Sequence, residues 1–295
     1  MGQFHDLTQE FLDTIPVKWL DVAYAQQAPQ QVLDIYLPGE PEEGPYPVVV
    51  HTHGGGFANG HQREDHTLPM LDGLKRGYAV VSIQYRRSRE ALFPAQVLDA
   101  KAAIRFLRAH AGQYGLDPEH VAVWGASSGG WLASMTALTE GNPAFEDLSQ
   151  GNAEYSSGVQ AVIDWCGPCG GFAEMDVDFR KSGAGTPDHS AADSPESRFM
   201  GMALDKAPEL LRMADPRTYV HKDMPPVYII HGGIDQVVPV EQSIRFAQAI
   251  RDGAGEEKVT LHIVEGKLHH GDPWYNEPWV AAECYDFLDK VFGRA

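Results

Sequence analysis

The sequence predicts an α/β fold, one unit built around a central, mostly parallel sheet of about eight strands with helices on both faces. Two observations carry this. Short runs rich in β-branched residues alternate with longer segments of helical periodicity, as expected of parallel strands joined by crossover helices. No repeat of solenoid or propeller period interrupts that alternation. A third observation sets the scale: 295 residues, 43% of them hydrophobic, suffice for one sizeable core.

The strands are expected in order at residues 17–24, 32–37, 47–53, 79–84, 121–124, 159–165, 227–231 and 259–264. The first two alternate apolar and polar residues across a short Gln/Pro connection, the pattern of an antiparallel hairpin at a sheet edge. Later runs such as Val121-Ala122-Val123-Trp124 are continuously apolar and suit strands covered on both faces. Helices are expected over 95–110, where Val97, Ile104 and Leu107 share a face behind Pro94, and over 128–138, 241–251 and 276–291. Residues 167–223, after the sixth strand, break the pattern. They are rich in Gly, Pro, Ser and Asp, with short helical pieces near 197–202 and 208–213. We read them as a polar insertion draped over the sheet, inside a single domain spanning 1–295.

Composition excludes several classes. With 41 acidic against 23 basic side chains the net charge is −18, which repels nucleic acid and anionic membrane surfaces. No apolar run approaches the length of a membrane span. Residues 1–20 carry Asp6, Glu10 and Asp13 and no apolar h-region, so they do not read as a secretory signal. The expectation is a cytoplasmic protein, although a chain from which a leader had been trimmed would read the same. Three cysteines are too few for a disulfide scaffold. There is no dinucleotide fingerprint or P-loop, and neither His51/His53 nor His61/His66 is completed by a carboxylate or thiol. No cofactor and no metal is expected; the partner is a small molecule, and the oligomeric state stays open.

Two glycine motifs carry the chemistry. Gly125-Ala126-Ser127-Ser128-Gly129 fits a nucleophile elbow, G-x-S-x-G. The pentapeptide alone is a weak signal. Its place, between a buried-strand run and a helical pattern, is what gives it weight. His53-Gly54-Gly55-Gly56-Phe57 directly follows another strand, and its bare backbone lets amides approach a developing oxyanion. Gly55, Gly56 and Ser128 are the candidate donors.

A serine hydroxyl needs a base, and the base needs an orienting acid. Asp235, in the loop after strand 227–231, is the acid by chain order. Of His269 and His270, both after the last strand, His270 is selected because Gly271 would free the ring to turn inward, and His269 is assigned to packing or solvent. His231 and His262 lie in or beside strands and read as structural. Phe57, Trp274, Tyr275 and Cys169 are candidate substrate-lining residues, and core packing is the expected role of Trp131.

These pieces, with Gln84-Tyr85-Arg86, Phe93-Pro94-Ala95-Gln96, Asp99, Ser194-Pro195-Glu196-Ser197-Arg198 and Val238-Pro239, run from about Val32 to the C-terminus. Over that length the chain resembles the hormone-sensitive-lipase-like esterases of the α/β-hydrolase fold, and among them bacterial carbohydrate acetyl and feruloyl esterases. The resemblance implies an α/β-hydrolase fold. It also implies hydrolysis of short-chain, acetyl or feruloyl esters of carbohydrates or other polar alcohols through a Ser-His-Asp triad. Gln84 departs from the pattern, standing where an aspartate usually precedes Tyr-Arg. An amidase or peptidase on the same fold is the nearest alternative.

A rival from another class is written in Trp165-Cys166-Gly167-Pro168-Cys169, letter for letter the redox motif of thioredoxins. A dithiol–disulfide oxidoreductase acting through Cys166 and Cys169 needs a helix starting at the first cysteine to lower its thiol pKa. Gly170-Gly171 is poor helix material, and two small cysteines in a turn is the plainer reading.

Overall fold

A computed structural model describes residues 5–269 and 273–294. Eight strands form one sheet: β1 (Val17–Ala23), β2 (Val32–Leu37), β3 (Tyr46–Thr52), β4 (Ala79–Ile83), β5 (Leu116–Ala126), β6 (Ala161–Trp165), β7 (Val227–Gly232) and β8 (Val259–Val264). Their order across the sheet is β1-β2-β4-β3-β5-β6-β7-β8. The expected edge hairpin is present, since β1 pairs with β2 antiparallel; β2 is antiparallel to β4, and every later pairing is parallel. β5 starts earlier than its apolar run. Leu116 pairs with Tyr46 before the register shifts, and the continuous ladder begins at Val48 and Val121.

The helices are α1 (Gln9–Asp13), α2 (Leu68–Leu71), α3 (Ala95–Ala109), α4 (Ala111–Tyr114), α5 (Ser128–Leu138), α6 (Phe172–Ser182), α7 (Pro195–Met200), α8 (Pro208–Met213), α9 (Glu241–Ala254) and α10 (Pro278–Val291). Each face of the sheet buries its own apolar cluster. Val48, Val50, Val81 and Val123 pack with Ile104 of α3 and Leu132 of α5; Val49, Val80, Ala122 and Trp124 pack with Cys284 and Leu288 of α10. Strand alternation sends neighbouring residues to opposite faces, which is why consecutive valines divide between two clusters.

Residues 167–223 hold more helix than their composition suggests. α6 was not expected, because two glycines and a high acidic content hide its register. Phe172, Met175 and Phe179 nevertheless recur at helical spacing and are buried. Phe172, Met175, Phe199, Met200 and Leu204 join the cluster that contains α3 and α5, so the insertion shares the sheet's core.

The chain leaves β3 toward β4 on one side and returns to β5 on the other. Loops after β3 and β5 therefore diverge, opening a crevice at the carboxyl ends of the strands where open α/β sheets bind ligands.

Candidate active site

The elbow lies at that crevice. β5 ends at Ala126, α5 begins at Ser128, and Ser127 between them has φ 56° and ψ −127°, a conformation a side chain adopts only when its surroundings enforce it. They do so here. The Ser127 amide donates to the Trp165 carbonyl at 2.7 Å, and the Trp131 amide donates to the Ser127 carbonyl at 3.1 Å. A Cβ at Gly129 would lie 2.1 Å from the Thr52 carbonyl oxygen, so the turn closes only with glycine there.

The loop after β3 is held from behind. His53 is fully buried and stacks on Tyr85 at 4.2 Å, while the Tyr85 hydroxyl donates to the His53 carbonyl at 2.7 Å. Gln84 meets His53 Nε2 at 2.6 Å, so the side chain in the usual aspartate position still supports the ring. Burial lowers the His53 pKa to about 4, which keeps the imidazole neutral. The following segment bends through Gly55 (φ 115°) and Gly56 (φ 59°). Among the described residues, the amides of Gly55, Gly56 and Ser128 have no protein acceptor, as donors waiting for a ligand oxygen would.

Asp235 follows β7, and its Oδ1 accepts the amides of Val237 and Val238 at 2.7 and 2.9 Å. The imidazole beside it belongs to His269. The Nδ1–H donates to Asp235 Oδ2 at 2.5 Å, and Nε2 accepts from the Ser127 hydroxyl at 3.0 Å. His270, selected from the sequence for this position, lies outside the described residues; the ring that meets Asp235 is that of His269. The reason is backbone pairing beyond the strands. The Gly233 amide donates to the Val264 carbonyl and the Ile234 amide to the Lys267 carbonyl, which fixes the two loops side by side. Trp274 Nε1 pins the Leu268 carbonyl, and the next side chain meets Asp235.

The electrostatics follow from this contact. Burial would raise the Asp235 carboxyl, but attraction to His269 and hydrogen bonds from His231 and His269 hold it well below the usual carboxylate range. For His269, burial opposes the charged ring, yet the Cys166 sulfur and the Asp235 carboxylate together keep its pKa above the ordinary histidine value. His231 lies behind, its Nδ1 2.6 Å from Ser243 Oγ and its Nε2 3.0 Å from the Val238 carbonyl, in the supporting place expected of it.

A cleft of about 310 Å³ opens over Ser127. Phe57 lines it, together with Gly56 and Ser128. Three other candidates do not. The Trp274 and Tyr275 ring centroids lie 3.8 Å apart, tilted against each other, in the apolar cluster on the far face of the sheet, and Cys169 is fully buried beside Asp164 and Ser134. Their places in the lining are taken by Pro168, Thr186, Asp188, His189 and Glu196 of the insertion and by Gln236–Val238. The sequence offered no motif for His189 or Asp188, although Ser194-Pro195-Glu196 did stand out. Trp131 is core, with its indole N–H donating to the Ala214 carbonyl at 2.8 Å.

Cys166 and Cys169 are both buried and not joined in a disulfide, and the nearest helix begins at Phe172, not at Cys166. This is the plain turn, without the helix terminus a catalytic dithiol needs. Among the described residues, Cys166, Asp235 and His269 bring three ligand atoms within 4.8 Å, but two of them already serve the hydrogen-bonded relay. No helix of the described residues is long and apolar enough to cross a membrane.

An eight-stranded, mostly parallel sheet with a strained serine at its elbow and a His–Asp pair on the following loops defines the α/β-hydrolase fold. Residues 33–250 match the family BD-FAE, and the chain belongs to that family. Among characterised sequences it is 29% identical to the esterase LipQ of Mycobacterium tuberculosis over 280 residues, covering 93% of this chain and 62% of LipQ. It is 30% identical to the esterase LipC of the same organism over 225 residues, covering 76% and 53%. The chain thus spans little more than half the length of these relatives. A solved structure of a truncated carbohydrate esterase from gut microbiota superposes with a TM-score of 0.81 at 31% identity, over 97% of this chain and 99% of that one. The bifunctional GH43-CE of Bacteroides eggerthii gives 0.79 at 33% identity, over 93% of this chain and 35% of its own.

Proposed function

We propose that the protein is a serine carboxylic-ester hydrolase acting through Ser127, His269 and Asp235. The observation that carries this is the continuous relay from Ser127 Oγ through both His269 nitrogens to Asp235 Oδ2, at 3.0 and 2.5 Å. His269 Nε2 takes the hydroxyl proton as Oγ attacks the ester carbonyl, and Asp235 holds the tautomer and stabilises the imidazolium. Amides of Gly55, Gly56 and Ser128 receive the oxyanion, each such donor contributing roughly 10²- to 10³-fold to kcat. The same Nε2–H then protonates the departing alcohol. Water attacks the acyl-enzyme with His269 again as base, and the serine is regenerated.

The cleft volume of about 310 Å³ favours short acyl groups, acetyl before feruloyl. Its polar wall, and the carbohydrate esterase among its structural relatives, favour a carbohydrate or similar polar alcohol as leaving group. Residues 1–295 act in this reading as one unit, because residues of the 167–223 insertion both share the sheet's core and line the cleft.

The test is hydrolysis of p-nitrophenyl acetate, butyrate, octanoate and ferulate by wild type and Ser127→Ala. Turnover that falls with chain length and drops by roughly 10⁴- to 10⁶-fold in the variant is expected. Wild-type turnover in Ser127→Ala refutes the nucleophile, and preference for anilides over esters makes the protein an amidase.

A further inference from the structure

Glu196 is a buried carboxylate that the proposed chemistry does not use. It stands at the second position of α7, within Ser194-Pro195-Glu196, and lines the cleft that contains Ser127. The residue is 8% exposed, and its Oε2 is buried with no hydrogen-bond partner among the described residues. Nor does any lysine or arginine of the described residues pair with it, as Arg63 does with Asp34, Arg86 with Asp99 and Arg245 with Asp178. Burial, with Asp176 and Asp188 nearby, raises its pKa, against attraction from His189. An acceptor kept desolvated and unmet is costly, and the cost is recovered when something donates to it.

The neighbouring groups indicate what donates. His189 Nε2 lies 3.0 Å from the Val237 carbonyl, which only accepts, so Nε2 carries a hydrogen and that nitrogen is already engaged. Asp188 and Thr186 add further oxygens to the same wall. A surface dominated by acceptors suits a ligand dense in O–H donors. Facing the nucleophile across a small cleft, it is placed to meet the alcohol part of an ester and not a long acyl chain.

We infer that Glu196 is a specificity-determining residue that accepts hydrogen bonds from free hydroxyls of a polyhydroxylated leaving alcohol. The inference rests on the esterase reading and deepens it. A hydroxyl-free alcohol of the same ester leaves Oε2 unmet, and the site discriminates against it.

The experiment compares wild type, Glu196→Gln and Glu196→Ala on two acetate esters, a mono-O-acetylated methyl xyloside and ethyl acetate, with p-nitrophenyl acetate as a check of triad competence. In Glu196→Ala, kcat/KM on the xyloside ester is expected to fall roughly 10- to 100-fold further than on ethyl acetate, with KM carrying most of the loss. Glu196→Gln, which keeps the shape and one acceptor, is expected to lie between, and carries the test if the alanine variant folds poorly. Equal losses on both esters, or no loss on the xyloside ester, overturn the inference while the esterase reading stands. A wild type that cleaves p-nitrophenyl acetate but not the xyloside ester overturns it too. A wild type that cleaves none of the three esters refutes the esterase reading and this inference with it.

Discussion

The cleft has two walls built on different principles. One is the carboxyl edge of the sheet, where Ser127, Asp235, His269 and the Gly55–Gly56 turn are set by parallel ladders and by backbone hydrogen bonds continuing past the strand ends. The other comes from the insertion, where side chains hold the backbone in place. The Asp176 carboxylate accepts the amides of His189 and Ser190, both at 2.9 Å, His189 reaches the Val237 carbonyl, and Arg245 pairs with Asp178. A ladder fixes geometry to a fraction of an ångström, which proton transfer demands. A side-chain tether fixes chemistry with more latitude, which is enough to choose between alcohols. In the proposed mechanism reactivity falls to the first wall and discrimination to the second.

The most severe way to break the first wall is at its base. His269→Ala is expected to lower kcat on p-nitrophenyl acetate by roughly 10⁴- to 10⁶-fold, with the far-ultraviolet circular dichroism unchanged. His270→Ala should lose at least about 100-fold less. The reverse ranking would restore the assignment read from the sequence. Asp235→Asn comes next, at about 10⁴-fold, because an amide no longer selects the Nδ1–H tautomer. It also moves the pH profile. The proposed mechanism needs neutral His269, so activity should be lost as pH falls through the His269 pKa, which the folded protein holds above the ordinary value of about 6.5. Removing the carboxylate that raises it should carry the acidic limb of kcat/KM to lower pH. An unmoved limb in the variant argues that another group controls it.

Stability separates the walls differently. Asp99 is fully buried and receives Arg86 Nη2 at 2.6 Å, the Arg86 amide at 2.9 Å and Gln31 Nε2 at 2.8 Å, fastening the segment after β4 that carries Gln84 and Tyr85 behind the glycine loop. Asp99→Ala leaves a guanidinium without its counter-charge and is expected to cost about 3–5 kcal/mol in urea unfolding. A loss below about 1 kcal/mol would mean that water replaces the carboxylate and that this support is dispensable.

The same division explains what was legible in the sequence. A ladder-built wall leaves motifs, because a strand followed by a tight turn restricts which residues fit. Gly125, Ser127 and Gly129 are recognisable since the elbow tolerates little else, and Asp235 follows from the order of strands. His269 against His270 was not legible. The choice depends on Ile234 pairing with Lys267, a contact between loops distant in the chain, whereas a glycine after His270 is visible locally and favours the other ring. Trp274 and Tyr275 misled for a similar reason. Aromatic residues near a catalytic loop fit a subsite or a core equally well, and only the packing of Trp165 on Tyr275 at 4.9 Å decides for the core. On the insertion wall the helical period of Phe172, Met175 and Phe179 was present but masked by the acidic residues between them.

The smallest effect should come from loosening the second wall while leaving the first intact. Asp176 belongs to α6, and its carboxylate is the anchor for the turn that presents Asp188 and His189 to the cleft. Burial opposes its charge, but the Ser190 hydroxyl and the Ser190 and His189 amides hold its pKa below the usual range, so the anchor is charged throughout the neutral region. Asp176→Ala returns two amides to water on a half-exposed turn. It should therefore cost less than the loss of a sealed ion pair, on the order of 1–2 kcal/mol in unfolding. If the altered wall binds the alcohol and not the reacting carbonyl, as proposed, KM for an acetylated sugar should rise roughly three- to ten-fold, with a smaller change in kcat. A fall in kcat matching the rise in KM would show that the tether also sets the position of Ser127 or His269, and the division between reactive and discriminating walls would fail at that point.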